Sequence, residues 1–463
     1  MNKKVTIGAL FTLMAIVAAV TFSMTMVFSM NVFNEKVYNL KEREAIYSKL
    51  SEIDKIFRTN FAGQVDDKLL MDALSSGYAK GSGDAYARYY TAAAYKKEVQ
   101  VFEGKIVGIG AVTAKDANGY LVITDIYPGS TAETAGLKKG DLIVKIDDTE
   151  VKADNISQMQ EILQGQAGTK LDITIRRDKE DSIFPVTRRH VEIPSVFPSL
   201  IDENTGYLSV SDISDTTDEQ FVRQMEKLIN EGAKSFLIDL RGNSGGVLDS
   251  AIKMLDRILP AQPVLTATYK NGKIEKHDTT DSKSLDMPIV VLVNDKTARE
   301  AEIFAQVLKD LEKAKIVGVK TIGKGTKQDT IKLTDGSAIM LTTAVFKTPK
   351  SETFNMVGVK PDYEVAITPE EEKNILELGI SADPQVKKAH EVLQGLLRAA
   401  TEAAGASSAP EVVASAPSSS SSSSSTSSSS SSTSSENSSD ASSGSDSSSG
   451  SDSSSSSSSS SNS

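Results

Sequence analysis

The chain has 463 residues, 51 basic and 62 acidic side chains, a net charge of −11 and no cysteine. Its length supports two or three domains with cores of their own, and the acidic balance argues against a nucleic-acid partner. Without cysteine there is no disulfide framework, zinc–thiolate site or thiol nucleophile. His190, His277 and His390 lie far apart and show no metal-ligand spacing, so neither metal nor cofactor is expected.

At the N-terminus, Lys3 and Lys4 precede an uncharged, mostly apolar run from Val5 to about Val32. The run exceeds the ~20 residues that cross a bilayer and is longer than a typical signal-peptide core. Lysines before it, with no basic cluster directly after it, place the N-terminus inside. Residues 1–33 therefore read as a single uncleaved transmembrane anchor in the cell membrane, with the bulk of the chain extracytoplasmic. A cleaved signal peptide is the alternative, given the Ala-rich patch Ala15–Ala19.

Residues 34–102 read as a helical region. From Asn34 to Phe61, Leu40, Ile46, Leu50, Ile53, Ile56 and Phe57 recur at helical spacing, which suits a stalk or a dimerising arm. A second helical piece, around Lys68–Tyr78, leads into Gly83-Asp84-Ala85-Tyr86-Ala87-Arg88-Tyr89-Tyr90.

Residues 103–178 carry Gly108-Ile109-Gly110, then Pro128–Leu137, Gly140–Ile146, Gly165, Gly168-Thr169 and the alternating strand Leu171–Ile175. This ordered series resembles a PDZ domain. The resemblance implies peptide binding at Gly108, Ile109 and Gly110: loop amides receive a terminal carboxylate and the ligand adds a strand to a sheet edge.

From residue 193 to 368 strands and helices alternate, as in an α/β core. Gly206–Val210, Ser235–Leu240 and Pro288–Val293 are strands. Thr217–Asn230, Val247–Leu259 and a segment from Ala298 to about Leu311 are helices. Residues 369–406 form a C-terminal helical segment. The low-complexity tail, 407–463, is nearly pure serine and cannot bury apolar surface, so it is expected to be disordered, either as a solvated spacer or as a glycosylated or wall-threading tether.

Several motifs follow one another in the α/β region: Asp239-Leu240-Arg241-Gly242-Asn243-Ser244-Gly245-Gly246, Val291–Asn294, Ile316–Gln328, Leu333–Ser337 and Gly358–Asp362. From about Leu50 to Val365 this set resembles the C-terminal processing peptidases of family S41, serine/lysine proteases that contain a PDZ domain. The Gly83–Tyr90 segment resembles that family's element before the PDZ domain, with its proline lost. The resemblance implies an S41 α/β core. It makes Lys324 the matched general base, Gln328 the residue that orients it, and the amides of Gly245 and Glu300 the oxyanion hole.

One position departs from that pattern. The nucleophile serine of the family falls on Arg299, within Thr297-Ala298-Arg299-Glu300-Ala301-Glu302-Ile303. A guanidinium is always protonated and cannot form an acyl-enzyme. Arg299 would lower the pKa of Lys324 further, and Glu300 or Glu302 could neutralise it. Thr297 and Glu300 read as a capping box that opens the helix. Thr297 is the nearest substitute hydroxyl. Ser244 is another, because Gly242–Gly246 fits a Gly-x-Ser-x-Gly elbow that His277 or His390 could serve as base.

The leading expectation is a pseudopeptidase that binds protein C-terminal tails through its PDZ domain, with homodimerisation or association with active homologues as a regulatory route. The alternative is an active serine-type endopeptidase that trims extracytoplasmic proteins near their C-termini. If the rest of the site is intact, Arg299→Ser would restore activity.

Overall fold

Hydrophobic period sets the outline of each part of the chain. The computed structural model describes residues 7–280 and 284–407, so Lys3, Lys4 and the serine tail from 408 lie outside the described residues. The apolar run and the predicted arm form one helix, α1 (Ile7–Asn60), which contains no proline and no glycine after Gly8. Its apolar side chains Ile16, Val20, Phe22 and Phe28, and further on Ile46, Ile53 and Phe57, are exposed. Among the described residues no helix is long and apolar enough to cross a membrane. Helix α2 (Asp67–Gly81) follows, its first turn capped by the Asp66 carboxylate, which accepts from the Lys68 and Leu69 amides.

Strand β1 (Arg88–Tyr90) and helix α3 (Ala92–Glu103) lead to Gly104, which closes α3 at φ 62°. A Cβ there would strike the side chains of Ser214 and Thr216, so glycine allows the chain to pass against the core.

The PDZ module is built from β2 (Lys105–Gly108), β3 (Ala111–Lys115), β4 (Leu121–Ile126), α4 (Thr131–Ala135), β5 (Leu142–Ile146), β6 (Thr149–Glu150), α5 (Ile156–Ile162) and β7 (Lys170–Arg177). Alternate residues of its strands, among them Leu121, Ile123, Ile143, Leu171 and Ile173, fill its core. The sheet runs past the boundary expected at 178. Strand β8 (Glu180–Thr187) pairs with β7 along its whole length, and β9 (Arg189–Glu192) returns to pair with β2. The β7–β8 connection is the two residues Asp178 and Lys179, at φ 53° and 72°. Two positive φ values match the twist of a tight hairpin, and the absence of a glycine there hid the turn in the sequence.

The α/β core comprises β10 (Val196–Asp202), β11 (Thr205–Val210), α6 (Thr217–Asn230), β12 (Ser235–Asp239), α7 (Leu248–Asp256), β13 (Gln262–Tyr269), β14 (Ile274–Thr279), β15 (Ile289–Val293), α8 (Glu300–Asp310), β16 (Ala314–Gly318), β17 (Thr326–Lys332), β18 (Ala338–Lys347) and β19 (Tyr363–Glu364), followed by α9 (Pro369–Leu378) and α10 (Pro384–Ser407). The main sheet has the order β10-β11-β12-β15-β16-β19, parallel from β11 onward. Both faces are covered, which explains the unbroken apolar runs of β12 and β15. Phe236, Ile238, Ile289 and Val291 face α6, α7 and α8, while Leu237, Val290 and Leu292 meet Val386, Ala389 and Leu393 of α10. A second sheet, β1-β18-β13-β14 with β17 on β18, brings β1 beside the core.

Candidate active site

The loops after β12 and β15 emerge side by side at the C-terminal edge of the sheet, where open α/β folds place their ligands. The platform beneath them is ionic. Arg241 bridges Asp239 and Asp383, each at 2.6 Å, and Tyr207 donates to Asp239 at 2.7 Å. Arg241 is mostly buried, and its planar fork ties the end of β12 to the start of α10.

Asn243 and Asn294 then lock the two loops together. Asn294 Oδ1 accepts from the Gly242 amide at 2.9 Å, and the Ala298 amide donates to the Asn243 carbonyl at 3.0 Å. Asn243, fully buried, donates to the Val210 carbonyl at 2.9 Å and accepts from the Gly245 amide at 2.8 Å. Between these anchors Arg299 adopts φ 53° and ψ −119°, a conformation that non-glycine residues rarely take. Such strain costs about 1–3 kcal/mol and persists only where surrounding contacts impose it. The sharp turn that would present a nucleophile from strand to helix is thus kept, with a guanidinium on it.

The helix start differs from the expected capping box of Thr297 and Glu300. Arg299 is the N-cap of α8, and its amide donates to Glu302 Oε2 at 3.0 Å. Thr297 is fully buried, donating to the Leu240 carbonyl at 2.9 Å and accepting from the Asn294 amide at 3.0 Å. A hydroxyl enclosed and engaged in this way has no path to a substrate. Ser244 is exposed, but neither histidine bonds to it among the described residues. His390 lies 2.7 Å from Asp202, and His277 lies 3.5 Å from Glu275. The Ser244 carbonyl instead accepts from Arg299 Nε at 2.9 Å.

The amides around the turn are already engaged. That of Gly245 donates to Asn243 Oδ1, and that of Gly246 donates to Glu300 Oε2 at 2.6 Å. Glu300 is buried; burial pushes its carboxyl above the usual range, opposed by Arg299, the Gly246 amide and its own amide. A Cβ on Gly245, at φ 88°, would lie 2.5 Å from Glu300 Oε2 and 2.7 Å from Arg299 Cβ, so only glycine fits there.

Lys324 comes to the same cleft. Burial lowers its pKa, with Arg299 and Arg88 adding to the shift against Glu302 and Glu300. Its ammonium lies 4.8 Å from the centre of the Tyr86 ring. Tyr86 is held there by Asp84, which clamps Thr342 on β18 through its amide at 2.6 Å and its hydroxyl at 3.0 Å. Gln328, expected to orient Lys324, donates to the Thr326 carbonyl at 3.0 Å and hydroxyl at 2.7 Å. A register shift between Lys327 and Gln328 accompanies that local contact.

The residue that assembles the cleft is Glu302. Fully buried, it accepts from the Arg299 amide, the Thr321 hydroxyl, the Gly323 amide at 2.7 Å and the Lys324 amide at 2.7 Å. It thereby joins the start of α8 to the loop that carries Lys324. Its position three residues after the N-cap Arg299 is the sequence signal for this role, and a cap at Thr297 hides it.

Residues 204–365 match peptidase family S41, and residues 122–177 match the PDZ domain. The chain thus carries an S41 peptidase domain and a PDZ domain. It is 29% identical over 363 residues to the carboxy-terminal processing protease CtpA of Bacillus subtilis, covering 77% of each chain. It is 29% identical over 336 residues to a probable CtpA-like serine protease of Staphylococcus aureus, covering 72% of this chain and 67% of that protein. The solved photosystem II D1 C-terminal processing protease aligns with 72% of this chain and 92% of its own, at 23% identity and a TM-score of 0.41.

The chain has a second cleft in its PDZ module. A groove of about 310 Å³ between β3 and α5 is lined by Gly108, Ile109, Gly110, Thr113, Gln160 and Leu163, among others. The Ile109 amide donates to the Leu163 carbonyl at 3.2 Å, and Gln160 Nε2 donates to the Thr113 carbonyl at 3.0 Å. The Gly110 amide, by contrast, donates to no group among the described residues. The groove thus joins the Gly108–Gly110 loop, the Thr113 strand edge and the Gln160 face of α5, with Gln160 already bonded to that edge.

Proposed function

We propose that this S41 chain is a pseudopeptidase that holds the C-terminal tails of other proteins in its PDZ groove. The observation that carries this reading is Arg299: the strained elbow is preserved, and its side chain has no nucleophilic lone pair. The groove lined by the Gly108–Gly110 loop, whose Gly110 amide has no acceptor among the described residues, supports capture of a terminal carboxylate with an extended tail. The uncharged run Val5–Val32 and the exposed apolar side chains of α1 support a membrane anchor, with the bulk of the chain outside the cytoplasm. Exposed Ile53 and Phe57 further along α1 support pairing of the arm with a second copy or with an active homologue.

The names of the relatives favour a second reading, an active endopeptidase that processes extracytoplasmic proteins near their C-termini. The lowered pKa of Lys324 also suits a general base. That reading needs a hydroxyl in reach, and the burial of Thr297 and the lack of a base on Ser244 weigh against it.

The purified full chain, incubated with an unfolded protein, should release no fragments. Steady turnover that disappears in Lys324→Ala would establish the enzyme reading instead. Peptides with a free C-terminus should bind at least about tenfold more tightly than their amides, since a charged hydrogen bond contributes about 1.5–3 kcal/mol. Equal binding would remove the PDZ half of the proposal.

A further inference from the structure

Arg299 is not the only obstacle in the cleft. Where an elbow opens a helix, the amide after the elbow residue and an amide of the facing turn are the donors that would receive the oxygen of a substrate carbonyl. Here the amide after the elbow is that of Glu300, and the facing turn carries the amides of Gly245, the one expected in this role, and Gly246. The Glu300 side chain folds back over the facing turn, and its Oε2 accepts from the Gly246 amide at 2.6 Å. The group is 7% exposed, and the closeness of Gly245 and Arg299 leaves it little room to move. The neighbouring Gly245 amide is engaged with Asn243.

We propose that the Glu300 carboxyl is a built-in occupant of the oxyanion pocket, standing where a peptide carbonyl oxygen would sit and closing the cleft to acyl groups. This rests on the pseudopeptidase reading and deepens it: two adjacent residues disable the site independently. Arg299 removes the nucleophile and Glu300 fills the receptor for the carbonyl. Arg299→Ser alone therefore does not restore reactivity, because the new hydroxyl faces a carbonyl that cannot dock.

The test uses the full chain in four forms: Arg299→Ser, Arg299→Ser with Glu300→Ala, Arg299→Ser with Glu300→Gln, and Glu300→Ala alone. A fluorophosphonate reagent reports an activated hydroxyl with open donors. The Arg299→Ser/Glu300→Ala chain should label about 100-fold faster than Arg299→Ser, the scale of oxyanion donors in acyl transfer. The Glu300→Gln double variant should stay as slow as Arg299→Ser, because an amide oxygen of the same shape still accepts from Gly246. Independently of any chemistry, hydrogen exchange at the Gly246 amide should speed up at least about tenfold in Glu300→Ala and remain slow with Glu300→Gln, as loss of one buried bond implies. Equal labelling of Arg299→Ser with and without Glu300→Ala would overturn the proposal, and so would unchanged exchange at Gly246. If none of the variants labels, the exchange rates decide. Turnover by the unaltered chain would refute the pseudopeptidase reading, and it is scored separately.

Discussion

Two glycine turns in this molecule present backbone amides to a cleft, and they differ in what the amides meet. At Gly245–Gly246 the donors are taken by Asn243 and Glu300, beside a helix start whose first carboxylates are buried. At Gly108–Gly110 the Ile109 amide is engaged by the Leu163 carbonyl, and the next, Gly110, lines a groove and has no acceptor among the described residues. The backbone device is the same in both places. The occupant decides whether the cleft receives a ligand, and in the core the occupant is part of the chain.

The ionic platform beneath the core turn carries the heaviest load. Arg241→Ala leaves Asp239 and Asp383 buried without their cation and should cost about 3–5 kcal/mol, read as a lower urea midpoint. The loss should come from the core, and isolated unfolding of the PDZ module at the lower midpoint would show that the two parts share less than their contacts imply.

Closing the open turn is the next test. A Cβ on Gly110, at φ 78°, would strike Ser130, so Gly110→Ala should cost the PDZ module about 1–3 kcal/mol and abolish tail binding. Titration of a free-carboxylate peptide reads the second effect. Binding at full strength would mean that this loop is not the receptor.

Freeing the strand edge should sharpen the contrast. Gln160→Ala removes the side chain that bonds the Thr113 carbonyl, which is then available to an added strand. Exchanging one hydrogen bond for another of about 0.5–1.5 kcal/mol should tighten peptide binding roughly two- to tenfold. Weaker binding would instead make Gln160 a ligand contact.

The smallest expected effect is the pH response of the filled turn. Burial raises the Glu300 pKa, so the folded chain holds a proton there that the unfolded chain has released. Its stabilising contribution is full below the ordinary glutamate value and is lost as pH rises through the raised value. Glu300→Gln should remain proton-independent, so its urea midpoint should gain on that of the unaltered chain across this window and track it at lower pH. Parallel midpoints throughout would mean that Glu300 titrates normally.

Much of the architecture was readable because its causes are local. The apolar runs Phe236–Ile238 and Ile289–Val293 announced strands buried on two faces, and the glycine series from Gly108 to Gly168 announced the PDZ module. Strands β8 and β9 escaped because the Asp178-Lys179 turn carries neither glycine nor asparagine, and their partners lie at β7 and β2. Helix α3 falls within the region 34–102 read as helical, but its run of Ala92-Ala93-Ala94 and two lysines shows too little apolar period to mark its bounds.

At the site, sequence alone determined which residue types are present: no hydroxyl at position 299, a lysine between glycines at 324, and carboxylates at 300 and 302. Chemical identity is a local property, so the missing nucleophile could be stated without coordinates. The tertiary structure decided how those groups are used. It placed the cap on Arg299, made Glu302 the tie between α8 and the Lys324 loop, turned Gln328 towards Thr326, and folded Glu300 onto Gly246. Those outcomes depend on which amides converge in space, and residues 50 or more positions apart meet only when the sheet brings their loops to one edge.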